Sequence, residues 1–207
     1  MAVYSYGSGE TYATPQAAFD ACQAANESGG AAAAFTEANY IRAGVAAVHE
    51  NAAVGEPVLR LAHSVSGRGV LPTQAFPLVI DEAAGVDAIL ADTNGSNVIV
   101  GSAADGSAAA SHVIIDGPQL ISESASGILT RAASGAVARD WRVIGTIIEA
   151  AVHGISFGDL AGMLLDAAKI IVHGADGAAV HQDQADLGLF YGMLALRNCP
   201  MISGGYG

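Results

Sequence analysis

Positive charge is scarce in this sequence. Seven arginines and one lysine, Lys169, face twenty acidic residues, and the formal net charge is −12 at pH 7. A protein that grips nucleic acid needs a basic footprint to displace counterions. Anionic membrane surfaces and acidic ligands are repelled by the same field. Neither nucleic acid nor membrane is therefore an expected partner. Cysteine is scarcer still. Cys22 and Cys199 stand far apart, form no CxxC pair, and read as two buried thiols rather than a disulfide framework. Aromatics make up 6% and charged residues 14% of the chain, against about 25% charged in an average soluble protein. Long apolar runs are missing too. Gly162–Val172 is interrupted by Asp166 and Lys169, and nothing approaches the roughly 18 uninterrupted apolar residues of a membrane helix. The opening MAVYSYGSGE has neither the basic nor the apolar region of a secretory signal, so none is expected there.

What the chain does contain is small and apolar. Of 207 residues, 43 are alanine and 26 glycine, and the hydrophobic fraction is 52%. Mean hydropathy is +0.41. Disordered chains are polar and charged, so this one is expected to fold, as a single domain of 1–207. So much apolar surface with so few charges points to burial in an assembly.

Val3–Tyr6 alternates like a short strand. Thr14 is a good N-cap, Pro15 suits the first helical position, and Ala18, Phe19, Cys22 and Ala25 follow at helical spacing. A helix is expected over Pro15–Asn26, ended by Gly29-Gly30. Residues 1–30 thus read as a strand plus a helix. Over 31–84 the pattern is irregular, with two short strands preferred to a helix around Phe35–Ala43 and Val45–His49, and further strands expected at Pro57–Ala62 and Pro77–Ile80, the last closed by Asp81.

From 85 to 198 the texture repeats. Short β-rich runs alternate with turns rich in Gly, Asp, Asn and Ser. The runs are Ala88–Ala91, Asn97–Val100, His112–Ile115, Gly127–Thr130, Ala136–Ala138, Trp141–Ile148, Val152–Ser156, Met163–Leu165, Ile170–His173, Ala178–His181 and Leu189–Leu196. Ser126-Gly-Ile, His153-Gly-Ile and Asp176-Gly-Ala recur, as do the apolar runs starting at Trp141, Ala168 and Gly192. A period in the twenties with two or three strands per repeat lacks the ladder of leucine-rich repeats and is too short for propeller blades. A parallel β-helix fits, with small aliphatic residues inside. The inward positions expected are Ile114, Ile128, Val143, Ile155, Ile171 and Leu196. Residues 199–207 read as a tail, whose end Gly204-Gly-Tyr-Gly is flexible or docks as a strand on a neighbour.

The stretch Gly7-Ser-Gly-Glu-Thr-Tyr-Ala-Thr-Pro-Gln-Ala-Ala-Phe-Asp-Ala resembles the opening of pectate-lyase-like β-helix proteins, where a strand leads into a helix covering the first coil. Phe35–Gly44 is similar to the strand and turn that follow, and Gly85–Leu120 to the first regular coils. The resemblance implies an all-β, right-handed parallel β-helix with an N-terminal capping α-helix. Such modules occur in polysaccharide lyases, bacterial surface proteins and phage tail, spike and capsid-decoration proteins.

The chemistry of the lyases is hard to place here. Calcium needs six to eight oxygens, several from carboxylates. The best local candidate, Arg139-Asp140-Trp141-Arg142, offers one carboxylate between two guanidiniums and reads as a surface ion pair. Glycosidases need two carboxyls a few ångströms apart. Asp159 with Asp166, or Asp183 with Asp186, read instead as solvated turn residues. His153, His173 and His181 could stack on adjacent coils, but metal spacing such as HxxxH is absent. Neither a GxSxG elbow nor a phosphate-binding glycine loop occurs. No catalytic, cofactor or metal residue is therefore assigned, and no cofactor is expected. The expected function is a non-enzymatic structural component of a bacteriophage virion, a capsid decoration or tail or spike protein. Its partners are itself, as a homotrimer, and other virion proteins of capsid or tail. The outward residues of Trp141–Ile148 and Leu189–Leu196 would make the contact, anchored by Trp141 and Tyr191. The alternative is a carbohydrate-active β-helix enzyme, a polysaccharide lyase or depolymerase.

Overall fold

A computed structural model of the chain describes residues 1–28, 31–51, 53–61, 72–102, 109–130, 138–158, 160–182, 194–199 and 202–203. Strand β1 (Ala2–Tyr6) leads into α1 (Pro15–Ala25) and a short antiparallel pair, β2 (Glu27–Ser28) and β3 (Ala31–Ala32). The other strands come in triplets. The first is β4 (Asn39–Ala43), β5 (Val48–Glu50) and β6 (Leu59–Arg60), and the second β7 (Leu78–Glu82), β8 (Ile89–Asp92) and β9 (Ile99–Val100). Then follow β10 (Val113–Asp116), β11 (Gln119–Ser122) and β12 (Ile128–Thr130), and β13 (Ala138–Ile144), β14 (Ile147–Ala150) and β15 (His153–Phe157). The last described are β16 (Leu160–Asp166), β17 (Lys169–Val172) and β18 (Ala178–Gln182), then β19 (Leu194–Arg197) and β20 (Ile202–Ser203).

Outside β2 and β3, each strand pairs in parallel with the strand three places along the chain. This yields sheets of seven, six and five strands: β1-β4-β7-β10-β13-β16-β19, β5-β8-β11-β14-β17-β20 and β6-β9-β12-β15-β18. The chain is mostly β, and these three sheets are parallel throughout. The triplet pattern begins at β4, so β4 to β7, within the stretch that is irregular in sequence, belong to the same sheets as the later strands.

Alternation along each strand builds the core. In the seven-stranded sheet Ile41, Ile80, Ile115, Val143 and Leu165 lie in register and are fully buried. Leu90, Leu120, Ile148 and Ile170 form the matching column of the six-stranded sheet, and Leu59, Ile99, Ile128 and Ile155 that of the five-stranded one. All belong to one hydrophobic cluster. Each such side chain contributes about 1.5–3 kcal/mol on burial.

Between the seven- and six-stranded sheets the corner is sharp and repeated. Gly117, Gly145, Ala167 and Asn198 each follow the last-paired residue of their strand, and all four have positive φ, between 52° and 102°. The amides of Gly117, Gly145 and Ala167 donate to the carbonyls of Ile144, Asp166 and Arg197, so pairing continues round the corner. Connections from the five- back to the seven-stranded sheet instead vary in length, from residues 158–159 to residues 61–77. That variation blurs the period in the sequence.

Helix α1 begins as Thr14 and Pro15 predict, with Thr14 Oγ1 accepting from the Ala17 amide at 3.1 Å. Ala18, Phe19 and Cys22 are fully buried, and the helix packs on β1, β4 and β6. The Gln16 side chain ties it to β6, accepting from the Arg60 amide at 2.8 Å. Ala25 is exposed and Gln23 takes the buried place instead. Asn26 ends the helix, its amide side chain donating to the Cys22 carbonyl at 2.8 Å. Gly29-Gly30 lies outside the described residues.

Several expectations need correction. Trp141–Ile148 is two strands, split where Gly145 turns with φ +60°. Gln119–Ser122 is a strand that its polar ends and the preceding Pro118 concealed. Asp81 sits within β7 rather than closing it. Of the six inward positions, Ile128, Val143 and Ile155 are fully buried, but Ile114 and Ile171 face outward. Their neighbours Val113, Ile115, Ile170 and Val172 point inward; adjacent apolar residues hide the parity there. Leu196 has the inward register, opposite Leu165, yet is 55% exposed because β19 is the last described strand of its sheet. The runs starting at Trp141 and Ala168 lie in different sheets; Trp141 pairs with Met163, and Ile147 with Lys169. His153 pairs with Ala178, which puts Gly154 opposite Ala179 and not Gly177. Cys199 is half-buried. Within the tail, Ile202–Ser203 pairs with β17.

Candidate functional site

Arg139, Asp140 and Arg142 lie at the corner where the variable connections join the seven-stranded sheet. Asp140 in β13 has φ +50°, and His112, just before β10, has φ +54°. The register places these two side by side, with Gly162 of β16 next in line at φ +106°. Three neighbouring strands thus share one left-handed position, which costs a non-glycine residue about 1–2 kcal/mol. There Asp140 Oδ2 lies 3.3 Å from His112 Nδ1, and Arg142 Nε donates to Oδ1 at 3.3 Å. The three side chains are partly exposed. Arg139 is exposed, and its amide donates to Ser111 Oγ at 3.1 Å. Sequence reading missed His112, because it lies a whole triplet away from Asp140.

Trp141 is fully buried and cannot anchor an outward contact. Its Nε1 donates to the Ala110 carbonyl at 2.9 Å. The ring fills space that Gly101 leaves open, where a Cβ would lie 2.5 Å from Cζ2. Tyr191, the other expected anchor, lies outside the described residues, as do Asp159, Asp183 and Asp186. Asp166 faces Arg197 at 3.6 Å and accepts from Asn198 at 3.0 Å.

The histidines divide. His153 and His181 stack with centroids 4.0 Å apart, although the register sets His153 opposite Ala178 and His181 opposite Ser156. His173 turns instead toward Glu149, at 3.9 Å. Among the described residues, no three His, Cys, Asp or Glu side chains are placed to share a metal ion. Asp92, fully buried, has a local task. It accepts from the Asn94 and Ser96 amides at 3.2 and 2.9 Å and from Ser124 Oγ at 3.2 Å, fixing the turn after β8.

A groove of about 490 Å³ runs along the corner between the seven- and six-stranded sheets, lined by Glu82, Asp87, Ile89, Gln119 and Ile147. Glu82 is engaged there, accepting the Ala88 amide at 2.9 Å, and Gln119 donates to Glu149 at 3.3 Å. No protein-family model, curated protein or solved structure matches this chain.

Proposed function

We propose that the chain is a right-handed parallel β-helix, pectate-lyase-like in architecture and capped by α1, and that it is a non-enzymatic structural component of a bacteriophage virion. Three parallel sheets that each take every third strand support the β-helix, and right-handed crossovers are the rule for parallel strands. One observation carries the structural role: the outer face of the seven-stranded sheet. Between the buried columns a second row points outward through Val3, Tyr40, Val79, Ile114, Arg142, Leu164 and Ala195, of which Val79 is itself buried. All but Arg142 are apolar or aromatic. A solvated face is ordinarily polar, and an apolar row along the whole sheet suits contact with an identical neighbour. A homotrimer with roughly parallel axes buries the same face in each subunit. Capsid or tail proteins of the particle are the further partners.

Antibodies raised against the chain should label purified phage particles in electron micrographs. Absence of label from such particles would contradict the virion assignment. The groove beside Glu82 and Asp87 favours one other reading, a carbohydrate-active β-helix enzyme. Release of unsaturated or reducing ends from acidic polysaccharides, with or without calcium, would establish that reading in its place.

A further inference from the structure

We propose that His49 is an acid-sensitive catch: proton uptake at its Nε2 releases the contact between His49 and Tyr6 and opens the N-terminal end of the stack. In the six-stranded sheet His49 heads the inward column that continues as Leu90, Leu120, Ile148 and Ile170. It is therefore an imidazole where every following triplet has an aliphatic side chain. It is 8% exposed, and Tyr6, on the inward side of β1, is fully buried. The two rings meet edge to face with centroids 4.8 Å apart. Gly7 lies beside His49, where a Cβ would make ordinary contact with His49 Cε1 at 3.5 Å but would strike Val45 Cγ2 at 2.4 Å.

Both polar tips are stranded. His49 Nε2 and the Tyr6 hydroxyl are buried without a hydrogen-bond partner. The Val45 backbone acts on the ring, and a neutral imidazole that donates toward it from Nδ1 leaves Nε2 without a proton. Nε2 then carries the lone pair, the neutral tautomer that burial favours. Of the charged groups around the pair, Asp81 and Glu82 have other partners. Asp81 and Glu82 of β7 act on the Tyr6 hydroxyl. Asp81 is held by Arg42, with Oδ1 3.0 Å from Nε, and Glu82 takes the Ala88 amide. Glu50 is exposed beside His49, and Glu10 lies against Gly44. A proton added at Nε2 would place an unpaired charge in the core, next to Tyr6.

Burial lowers the His49 pKa from its ordinary value. The open state therefore binds the proton more tightly than the closed one. The stability held by neutral His49 is complete above about pH 6.5 and is lost as pH falls below it.

The test is native-state hydrogen exchange of the full chain at about pH 7.5 and about pH 5.5, on either side of the ordinary histidine value, corrected for intrinsic exchange. In the unaltered protein, opening of the β1 and β5 amides should increase several-fold at the lower pH, beyond any change in β14 and β17. In His49→Leu, which extends the aliphatic column, and in His49→Gln, which stays polar but cannot titrate, that excess should vanish. If either folded variant keeps the unaltered protein's excess, or if β1 and β5 open no more than β14 and β17 in the unaltered protein, the catch is refuted.

Discussion

Ala167 occupies a backbone conformation that the same corner assigns to glycine in two other triplets. Its φ of +53° strains a Cβ against the following carbonyl. Glycine removes that strain but adds freedom to the unfolded chain, a cost of about 0.4–1 kcal/mol. The balance favours glycine, so Ala167→Gly should raise the denaturant midpoint by an amount equivalent to roughly 0.5–1 kcal/mol. A lower midpoint would show that the corner is not strained. The two thiols differ just as locally. Burial under α1 pushes the Cys22 thiol up to about 12, whereas Cys199 is half-buried at the end of β19. Since the thiolate is the reactive form, iodoacetamide at mildly alkaline pH should label Cys199 in the folded protein and Cys22 only after unfolding. Mass spectrometry of the labelled peptides distinguishes the two.

Among the elements, α1 carries the sharpest test. It lays Phe19 and Cys22 over the first strands of two sheets, and an uncovered stack end exposes apolar interior and unpaired edges. Phe19→Asp buries a carboxylate without a partner, at a cost on the order of 4 kcal/mol or more, and should give insoluble or fibrous material. A soluble variant with unaltered circular dichroism would count against the cap. Helix α1 was also the most legible element. Thr14, Pro15 and the Phe19–Cys22 spacing act within a few residues, so local sequence contains the whole signal. The parallel repeat was legible for a different reason. Gly127 and Gly154 recur because a Cβ at either would strike an isoleucine of the facing sheet, 2.4 Å from Ile148 Cγ2 and 2.1 Å from Ile170 Cγ2. Register was less legible. Val113-Ile-Ile and Ile170-Ile-Val are apolar at both parities, and only the pairing partner decides which side chain goes inside. The cluster at Asp140 was half legible. Arg142 is local, but His112 reaches it through strand pairing, whose offset depends on connections of unequal length.

At the scale of the whole molecule, one charge in seven residues must be reconciled with a largely apolar chain. The interior columns account for much of it, but Val3, Tyr40, Ile114 and Leu164 remain on the outside in one row. With Trp141 inside, this row replaces it as the proposed contact. A specific interface buries about 800 Å² per partner, which requires the sheet face together with its flanks. Ile114→Glu with Leu164→Glu should dissociate the assembly without unfolding the chain, because both side chains point away from the core. Light scattering of the purified protein at micromolar concentration tests the proposed assembly most directly. The account predicts a mass about three times that of the 20.7 kDa chain, falling to one chain in the double variant; a clean 20.7 kDa monomer for the unaltered protein would contradict it.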